Sequence, residues 1–140
     1  MEKKDNVCIR RVVVNVKGID IEFDEYYKIN PENGEEVFDR NIEIDNDIRL
    51  YDIYKKRVNL LTTNEIKLIR KKYGMSQKEF SKILGLEETM IYRLENGSIQ
   101  TKDVDAVIRL SDESDTMYNM LVKNKPNFNE EEHLRFMKII

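Results

Sequence analysis

The sequence predicts an α+β protein in which a small N-terminal β-meander and a linker helix precede five helices and a short tail. Apolar residues recur at every second position before residue 45 and at every third or fourth position after it. The five glycines, at positions 18, 34, 74, 85 and 97, all fall at boundaries of predicted elements. These observations divide the chain into a β domain (1–44), a linker helix (45–60), a helical domain (61–124) and a tail with a short helix (125–140).

The β domain is predicted from three short runs. The first run, residues 8–16, is rich in β-branched residues and ends at a turn with Gly18. The second run, residues 19–29, alternates apolar with acidic residues, which is the period of a half-buried strand. A turn at 30–34 leads to a third short strand over 36–39. Because three strands of this length bury little apolar area, the meander needs a neighbouring element to pack against.

The linker helix is predicted over residues 46–59, with Asp45 as its N-terminal cap. A basic cluster, residues 55–57, lies near its C-terminal end, where the helix dipole favours positive charge. Its apolar side chains form one stripe, composed of Ile48, Tyr51 and Val58. The sequence therefore predicts a single helix that joins the strands to the segment that follows.

Residues 62–111 carry clear signals for helix starts and ends. Two segments, 62–65 and 76–79, have the form of a capping box, in which two residues satisfy each other's free backbone N–H groups. The first box starts a helix that ends at Gly74, and the second starts one that ends at Gly85. Further helices are predicted from about Glu88 to Gly97, from Thr101, from Ser114 and, after Pro126, from Asn129.

The composition limits the classes of protein that the chain can represent. No apolar run is long enough for a membrane span, and the first residues lack the apolar segment of a secretory signal, so we expect a cytoplasmic protein. Cys8 has no neighbouring base, His133 lies in the tail, and no phosphate-binding loop occurs, so we expect neither an enzyme nor a cofactor. The net charge is −3, and only residues 62–111 are basic, with 9 Lys and Arg against 7 Asp and Glu.

The segment from Ser76 to Gly97 has the pattern of a helix-turn-helix. Two short helices are joined by a turn with Gly85, where a Cβ atom would cause strain. The small Ser81 lies four residues before this glycine, where the two helices cross most closely, and Ile91 can fill the core between them. In such motifs the second helix, the recognition helix, enters the major groove of DNA.

Several residues of this segment resemble the phage-repressor class of helix-turn-helix, also called the XRE or Cro/C1 class: Gln77, Ser81, Gly85, Ile91 and the ending Leu94–Gly97. The longer stretch from Leu61 to Leu110 is similar to the DNA-binding half of MqsA/YgiT-type antitoxins. In that family a small zinc-binding domain precedes the helix-turn-helix. The resemblance implies a DNA-binding antitoxin whose N-terminal half binds a partner toxin.

The resemblance also implies roles for nine residues in binding double-stranded DNA. Gln77, at the start of the first motif helix, would bond to a phosphate. Arg93 would contact a guanine through O6 and N7 together, and Thr89 would contact a base through its hydroxyl or its methyl group. Glu88 would accept a hydrogen bond from cytosine or orient Arg93, and Tyr92 shares their outward face. After the recognition helix, the residues that would approach the DNA backbone are Asn96, Ser98, Gln100 and Lys102.

Four of these nine assignments have a purely structural alternative. Arg93 could pair with Glu88 or Glu95 on the helix surface. Gln77 could serve only as a helix-start residue, and Tyr92 could pack in a dimer contact. Glu88 could be a solvated surface charge. In each case the side chain would not contact DNA.

The N-terminal half departs from the family at its metal site. Antitoxins of this type hold zinc through two C-x-x-C pairs, whereas here Asn30 and Asn33 stand at the second pair and only Cys8 remains at the first. A structural zinc site needs four nitrogen or sulfur ligands, and amide oxygens bind zinc poorly. We therefore expect the strands to persist without a metal, with residues 30–34 forming a turn. The same result is expected if this segment was never a zinc knuckle.

Three functions are compatible with these patterns. The first is an antitoxin-like regulator that binds a palindromic operator as a homodimer, represses its own operon and binds a toxin through its acidic N-terminal half. The second is a phage or mobile-element repressor without a toxin partner. The third is a protein-interaction module whose helix-turn-helix no longer binds DNA, which Glu87 and Glu88 favour because carboxylates repel phosphates. The dimer surface is predicted on the helices after Thr101, at Met117, Tyr118, Met120 and Leu121.

Overall fold

The computed structural model describes residues 6–140, which form a three-stranded sheet followed by seven α-helices. The strands are β1 (Asn6–Val16), β2 (Ile19–Ile29) and β3 (Glu36–Val37). The helices are α1 (Arg40–Arg57), α2 (Thr63–Lys72), α3 (Gln77–Ile83), α4 (Met90–Glu95), α5 (Lys102–Ser111), α6 (Ser114–Lys123) and α7 (Glu130–Ile139), with a 3-10 helix, Lys125–Asn127, before α7. The α+β class is confirmed. Within the described residues, no helix combines the length and apolar character that crossing a membrane requires.

The three strands form an antiparallel sheet in the order β1-β2-β3. β1 and β2 pair in register over all 11 residues of each strand, without a bulge. The turn between them consists of Lys17 and Gly18, with φ angles of 49° and 89°, and two positive φ values are typical of a type I′ hairpin turn. β3 is shorter than the predicted run of 36–39, because the chain turns into α1 at Arg40.

Asn30 and Asn33 organise the turn between β2 and β3. The Oδ1 atom of Asn30 accepts a hydrogen bond from the N–H of Glu32 at 2.9 Å, and that of Asn33 accepts one from the N–H of Glu35 at 3.0 Å. Gly34 takes a φ of 72°, which a glycine adopts without strain. In residues 6–140, no group of three or more His, Cys, Asp and Glu side chains is placed to hold a metal ion.

The linker helix begins at Arg40 rather than at residue 46, so the predicted start and the capping role of Asp45 are wrong. The cap is Asp39, whose carboxylate accepts a hydrogen bond from the backbone N–H three residues later. The same carboxylate pairs with Lys28 of β2 at 2.8 Å, and this contact lowers the pKa of Asp39. The ion pair with Lys28 therefore helps to fix the start of α1. Local sequence signals do not reveal this contact, because the two residues are far apart in the chain.

α1 packs along one face of the β-hairpin. Its buried stripe is Asn46, Leu50 and Tyr54, and the predicted stripe of Ile48, Tyr51 and Val58 is only half-buried. The polar Asn46 is buried because its amide bonds to the backbone of β2. The buried apolar residues of this layer are Val16, Ile21, Phe23, Leu50 and Tyr54.

Hydrogen bonds fix the junction between α1 and the helical domain. Two residues after the end of α1, Asn59 adopts the left-handed region, at φ 61°, and the N–H of Leu60 donates to the carbonyl of Lys55 at 2.8 Å. The carboxylate of Asp52 accepts from the N–H and the hydroxyl of Thr63 at 2.9 and 2.8 Å. These bonds tie α1 to the start of α2, so the two units have a defined orientation.

The helical domain has its own hydrophobic core, to which α2 to α7 all contribute. α7 docks onto this core through Phe136, which is fully buried and meets the ring of Phe128 edge-on at 5.4 Å. The tail therefore docks onto the body of the helical domain. The most deeply buried residues of the core are Ile66, Phe80, Ile83, Ile91, Leu94, Ile108, Met117, Leu121 and Phe136.

The dimer surface predicted on α6 is only partly available. Met117 and Leu121 have no exposed surface, and Met120 is half-buried against the same core. Tyr118 is exposed, at 43%. The prediction is wrong for Met117 and Leu121, because residues four apart on a helix share one face and this face points into the core.

Lys55 provides a test of the packing at the junction. Its side chain is fully buried, and its ammonium group has no hydrogen-bond partner within residues 6–140. Burial lowers the pKa of Lys55, against the attraction of Asp52 and Asp105. We expect Lys55→Met to raise the free energy of unfolding at pH 7 by about 1–2 kcal/mol, measured by chemical denaturation.

This gain should shrink at alkaline pH. Because the pKa of Lys55 is lowered in the folded state, the folded protein loses this proton at a lower pH than the unfolded chain does. The wild type therefore gains stability as pH rises from the folded pKa to the ordinary value of 10.5. The exposed neighbour Lys56 supplies the control, and Lys56→Met should change stability by less than about 0.5 kcal/mol. A large loss of stability in Lys55→Met would contradict this prediction. It would show that the positive charge of Lys55 is needed to balance Asp52 and Asp105.

Candidate nucleic-acid interface

α3 and α4 are the two helices of the predicted motif. Ser81 joins them, because its fully buried Oγ accepts from the N–H of Ile91 at 3.1 Å and donates to the carbonyl of Gln77 at 2.9 Å. Gly85 in the connecting turn has a φ of 72°, where other residues are strained. Ile91 is fully buried between the helices. These features agree with the helix-turn-helix that the sequence predicts.

The recognition helix, α4, begins at Met90, two residues later than predicted. Glu88 and Thr89 therefore lie in the turn before it, and Thr89 takes the N-cap position without accepting a side-chain hydrogen bond. The hydroxyl of Thr89 is free of a capping role. Both side chains are exposed, so both face solvent at the start of the helix.

A buried ion pair holds α2 against α4. Arg70 donates from Nε and Nη2 to the two carboxylate oxygens of Glu95 at 2.7 and 2.8 Å, and the two side chains are 13% and 5% exposed. Its Nη1 donates to the carbonyl of Met75, which positions the segment before α3. The hydrogen bond to Glu95 raises the pKa of Arg70. Hydrogen bonds of Arg70 thus connect α2 to α4 and to the segment before α3.

Gln77 belongs to the same network. Its Nε2 donates to Oε1 of Glu95 at 3.2 Å, and the residue is half-buried at the first position of α3. An amide carries two N–H donors, and the second has no partner among the described residues. Gln77 can therefore support Glu95 and still donate to a group outside the protein.

Tyr92 and Arg93 are outward side chains of α4. Tyr92 is 52% exposed and Arg93 is exposed as well, whereas the flanking Ile91 and Leu94 are buried. α4 thus has an apolar face toward the body and a polar face toward solvent. The polar face has the character that a recognition helix presents to a DNA groove.

Glu87 is part of this surface, and the sequence pattern does not predict its contact with Arg93. Its carboxylate accepts from Nη2 of Arg93 at 2.9 Å. Arg93 pairs with neither of the two residues predicted as its partners. Glu95 belongs to the buried pair with Arg70, and Glu88 lies 3.8 Å from Nζ of Lys78. Glu87 escapes the helix-spacing rule because it lies in the turn, six residues before Arg93.

The residues after α4 differ in their exposure. Ser98 and Lys102 are exposed, as the predicted contact with the DNA backbone requires. Asn96 is half-buried, and its Nδ2 donates to the carbonyl of Tyr92 at 2.8 Å, so its amide partly serves to end α4.

The prediction for Gln100 is wrong. Gln100 is only 4% exposed, and its Nε2 donates to the carbonyl of Leu61 at 2.8 Å and to Asp105 at 3.0 Å. Burial raises the pKa of Asp105, but the hydrogen bonds from Arg109, Leu61 and Gln100 leave it below its usual value. Gln100 therefore holds the start of the helical domain, because a buried amide bonds within the protein.

The loop after α4 lies against α1. Gly97 has a φ of 105°, and a Cβ atom there would lie 3.4 Å from the backbone nitrogen of Ile48. Ile99 packs onto the core between the sheet and α1. The N-terminal unit therefore positions the loop that carries Ser98.

The buried ion pair predicts a large effect when one partner is removed. Arg70→Met leaves the carboxylate of Glu95 buried without its partner, and we expect the free energy of unfolding to fall by roughly 3–5 kcal/mol. Adding Glu95→Leu to this variant should restore much of the loss, because no buried charge then remains. Chemical denaturation measures both values.

The exposed pair of Lys72 and Asp112 is the matched control for this experiment. Lys72→Met should reduce the free energy of unfolding by no more than about 1 kcal/mol, since both side chains are close to half exposed. An Arg70→Met variant as stable as Lys72→Met would contradict the assigned importance of the buried pair.

The comparison with known families agrees with this geometry. The family HTH_3 (Helix-turn-helix) matches residues 66–113, a region that includes α3, the turn and α4. No match to the chain was found among curated proteins or among solved structures. Residues 66–113 are a helix-turn-helix domain of the XRE/Cro-C1 type, the DNA-binding domain of a class of transcriptional regulators.

Proposed function

We propose that the chain is an antitoxin-like transcriptional regulator, which binds operator DNA through α4 and a partner toxin through its N-terminal half. The observation that carries the DNA-binding half is the exposed pair Tyr92 and Arg93, on a helix whose other face is buried. The resemblance of residues 61–110 to MqsA/YgiT-type antitoxins supports the second half, together with the two-part layout, in which an acidic, sheet-forming half precedes the helix-turn-helix. A cytoplasmic regulator without enzymatic activity fits this proposal.

The proposed DNA contacts start from the side chains already described. Arg93 exchanges Glu87 for guanine, donating to O6 and N7, and Thr89 presents its hydroxyl or methyl group to a neighbouring base. Gln77 donates its second N–H to a phosphate. Glu88 and Tyr92 border the same contact. The backbone on the other side is approached by Asn96, Ser98 and Lys102.

We further propose that the protein binds its operator as a homodimer. One recognition helix contacts only a few base pairs, so two copies are needed to distinguish an operator from other DNA. A twofold dimer requires a palindrome, with half-site centres about 34 Å apart or a multiple of this distance. Binding at its own promoter would make the protein an autorepressor.

Acidic groups beside α4 favour a second candidate, a protein-interaction module that does not bind DNA. Glu87 forms an ion pair with the guanidinium of Arg93, and the carboxylate of Glu88 lies close to the ammonium group of Lys78. Both carboxylates are exposed just before α4, and their charge would oppose the approach of DNA phosphates to this helix. Under this alternative the exposed face of α4 would contact a protein.

The DNA-binding proposal is tested by titrating promoter DNA and random DNA at several salt concentrations, with fluorescence anisotropy as the readout. We expect Arg93→Ala to weaken binding to the promoter about 10- to 100-fold and to remove the preference over random DNA. Gln77→Ala should weaken binding to both DNAs by a similar factor, because a phosphate contact carries no sequence information. Lys123→Ala, exposed at the end of α6, is the control and should bind like the wild type.

Glu87→Gln separates the two candidates in the same assay. If α4 binds DNA, this change releases Arg93 and removes a negative charge, so promoter affinity should rise several-fold. If the domain is a protein-interaction module, neither the wild type nor Glu87→Gln prefers the promoter over random DNA.

The toxin half of the proposal is tested by co-expression with the product of the neighbouring gene. We expect a complex that survives size-exclusion chromatography, and we expect Arg93→Ala to form it equally well, since α4 is not part of that contact. A neighbouring protein that elutes separately, beside intact promoter binding, would favour a repressor without a toxin partner.

A further inference from the structure

One edge of β1 is uncovered among residues 6–140. The strand order places β1 at the edge of the sheet. In a hairpin with a two-residue turn, the pair next to the turn, Val16 and Ile19, exchanges both backbone hydrogen bonds, and such pairs recur at every second position. Even-numbered residues of β1 therefore bond to β2. The backbone groups that point away from the sheet belong to Val7, Ile9, Arg11, Val13 and Asn15.

The opposite edge of the hairpin is covered. The amide of Asn46 on α1 donates to the carbonyl of Tyr26 at 2.8 Å and accepts from its N–H at 2.9 Å. Nε of Arg49 donates to the carbonyl of Asp24 at 3.3 Å, and β3 pairs with the end of β2. No hydrogen bond from the described residues reaches the outward backbone groups of β1. The two edges thus differ, and α1 protects only one of them.

β1 also lacks most of the features by which proteins block a strand edge, and Arg11 is the one charged side chain among its outward-edge residues. It is 11 residues long, has no bulge, and contains no proline. Three of its outward-edge residues, Val7, Ile9 and Val13, are aliphatic side chains exposed by 54%, 56% and 63%. An edge that is long, regular and flanked by exposed aliphatic side chains can pair with a further strand.

The charges beside this edge indicate the chemistry of the partner. On the exposed face of the sheet, the strand next to β1 carries a row of carboxylates, Asp20, Glu22 and Asp24. Arg11 of β1 pairs with Glu22 at 3.2 Å and with Asp24 at 3.0 Å, whereas Asp20 accepts a hydrogen bond from the neutral Asn15, so the row keeps an excess of negative charge. A second copy would bring the same acidic row to the interface, whereas a basic segment would be attracted.

We propose that β1 accepts an extended segment of a basic partner protein as an additional antiparallel strand. On the exposed face, lysine and arginine stems of this segment would lie over Val7, Ile9 and Val13, with their charged ends near the acidic row of β2. On the other face, its aliphatic residues would extend the layer that contains Val12 and Val14. Alternating basic and aliphatic residues are therefore the recognised pattern. This inference deepens the toxin-binding half of the proposed function and names its contact surface.

The probe is a ten-residue peptide of alternating lysine and valine, titrated into the full chain by calorimetry. Its matched control carries a methyl group on every lysine amide nitrogen, which removes the hydrogen bonds to β1 without changing charge. We expect the methylated peptide, and a peptide with glutamate in place of lysine, to bind at least tenfold more weakly. In the wild type, the peptide should slow hydrogen exchange at the outward amides of Ile9, Arg11 and Val13, and leave Val12 unchanged.

The matched protein variants are Ile9→Pro and Ile9→Val. Proline at this position removes an outward N–H and no bond to β2, so it is tolerated at an edge, and peptide binding should fall at least tenfold. Ile9→Val should bind like the wild type. Both variants should bind promoter DNA unchanged, so a failure of this inference is distinguishable from a failure of the DNA-binding proposal.

Three results would overturn the proposal. The first is equal binding of the methylated and unmethylated peptides, and the second is unchanged exchange at the outward amides, which needs no variant. The third is a wild-type dimer in sedimentation that Ile9→Pro dissociates, because the edge would then be occupied by a second copy.

Discussion

The orientation of the recognition helix depends on the buried ion pair between Arg70 and Glu95. Burying two charges is costly unless they pair and their remaining hydrogen-bonding groups are satisfied. Here Met75 and Gln77 complete the pairing, so α2, the segment before α3 and α4 must all take their places together. The same constraint turns the opposite side of α4 outward. A charged pair in the core therefore determines which side chains can meet DNA.

α1 connects the two units physically. One side of the helix covers the hairpin through Leu50 and Tyr54, and its backbone near Ile48 lies against Gly97, in the loop that follows α4. The element that supports the strands therefore also supports the loop beyond the recognition helix. The turn end of β1, at Val14–Lys17, lines one cavity with Ser98 and Ile99, so a partner strand on β1 would lie near the loop that follows α4. This arrangement offers a route by which a bound partner could affect the DNA contacts.

Electrostatics oppose simple DNA binding in this protein. The helix-turn-helix region is only weakly basic, and Glu87 and Glu88 lie at the start of α4. In the proposed complex, Arg93 would have to release Glu87 before contacting a base. This would lower affinity and make binding sensitive to sequence, because only a good guanine contact would compensate for the lost pair. The acidic row beside β1 has the opposite consequence, since it favours a basic protein as the second partner.

Local signals in the sequence determined the strand alternation, the hairpin turn, both capping boxes and the spacing of Ser81, Gly85 and Ile91. They did so because these features depend on residues only a few positions apart. The tertiary structure decided the contacts between residues far apart in the chain. Asp39 caps α1 and pairs with Lys28, and the buried amide of Gln100 bonds to the carbonyl of Leu61 instead of facing solvent. It also decided that Glu87 pairs with Arg93 and that none of the described residues covers the outer edge of β1. Such contacts depend on how elements pack, and periodicity along the chain does not contain that information.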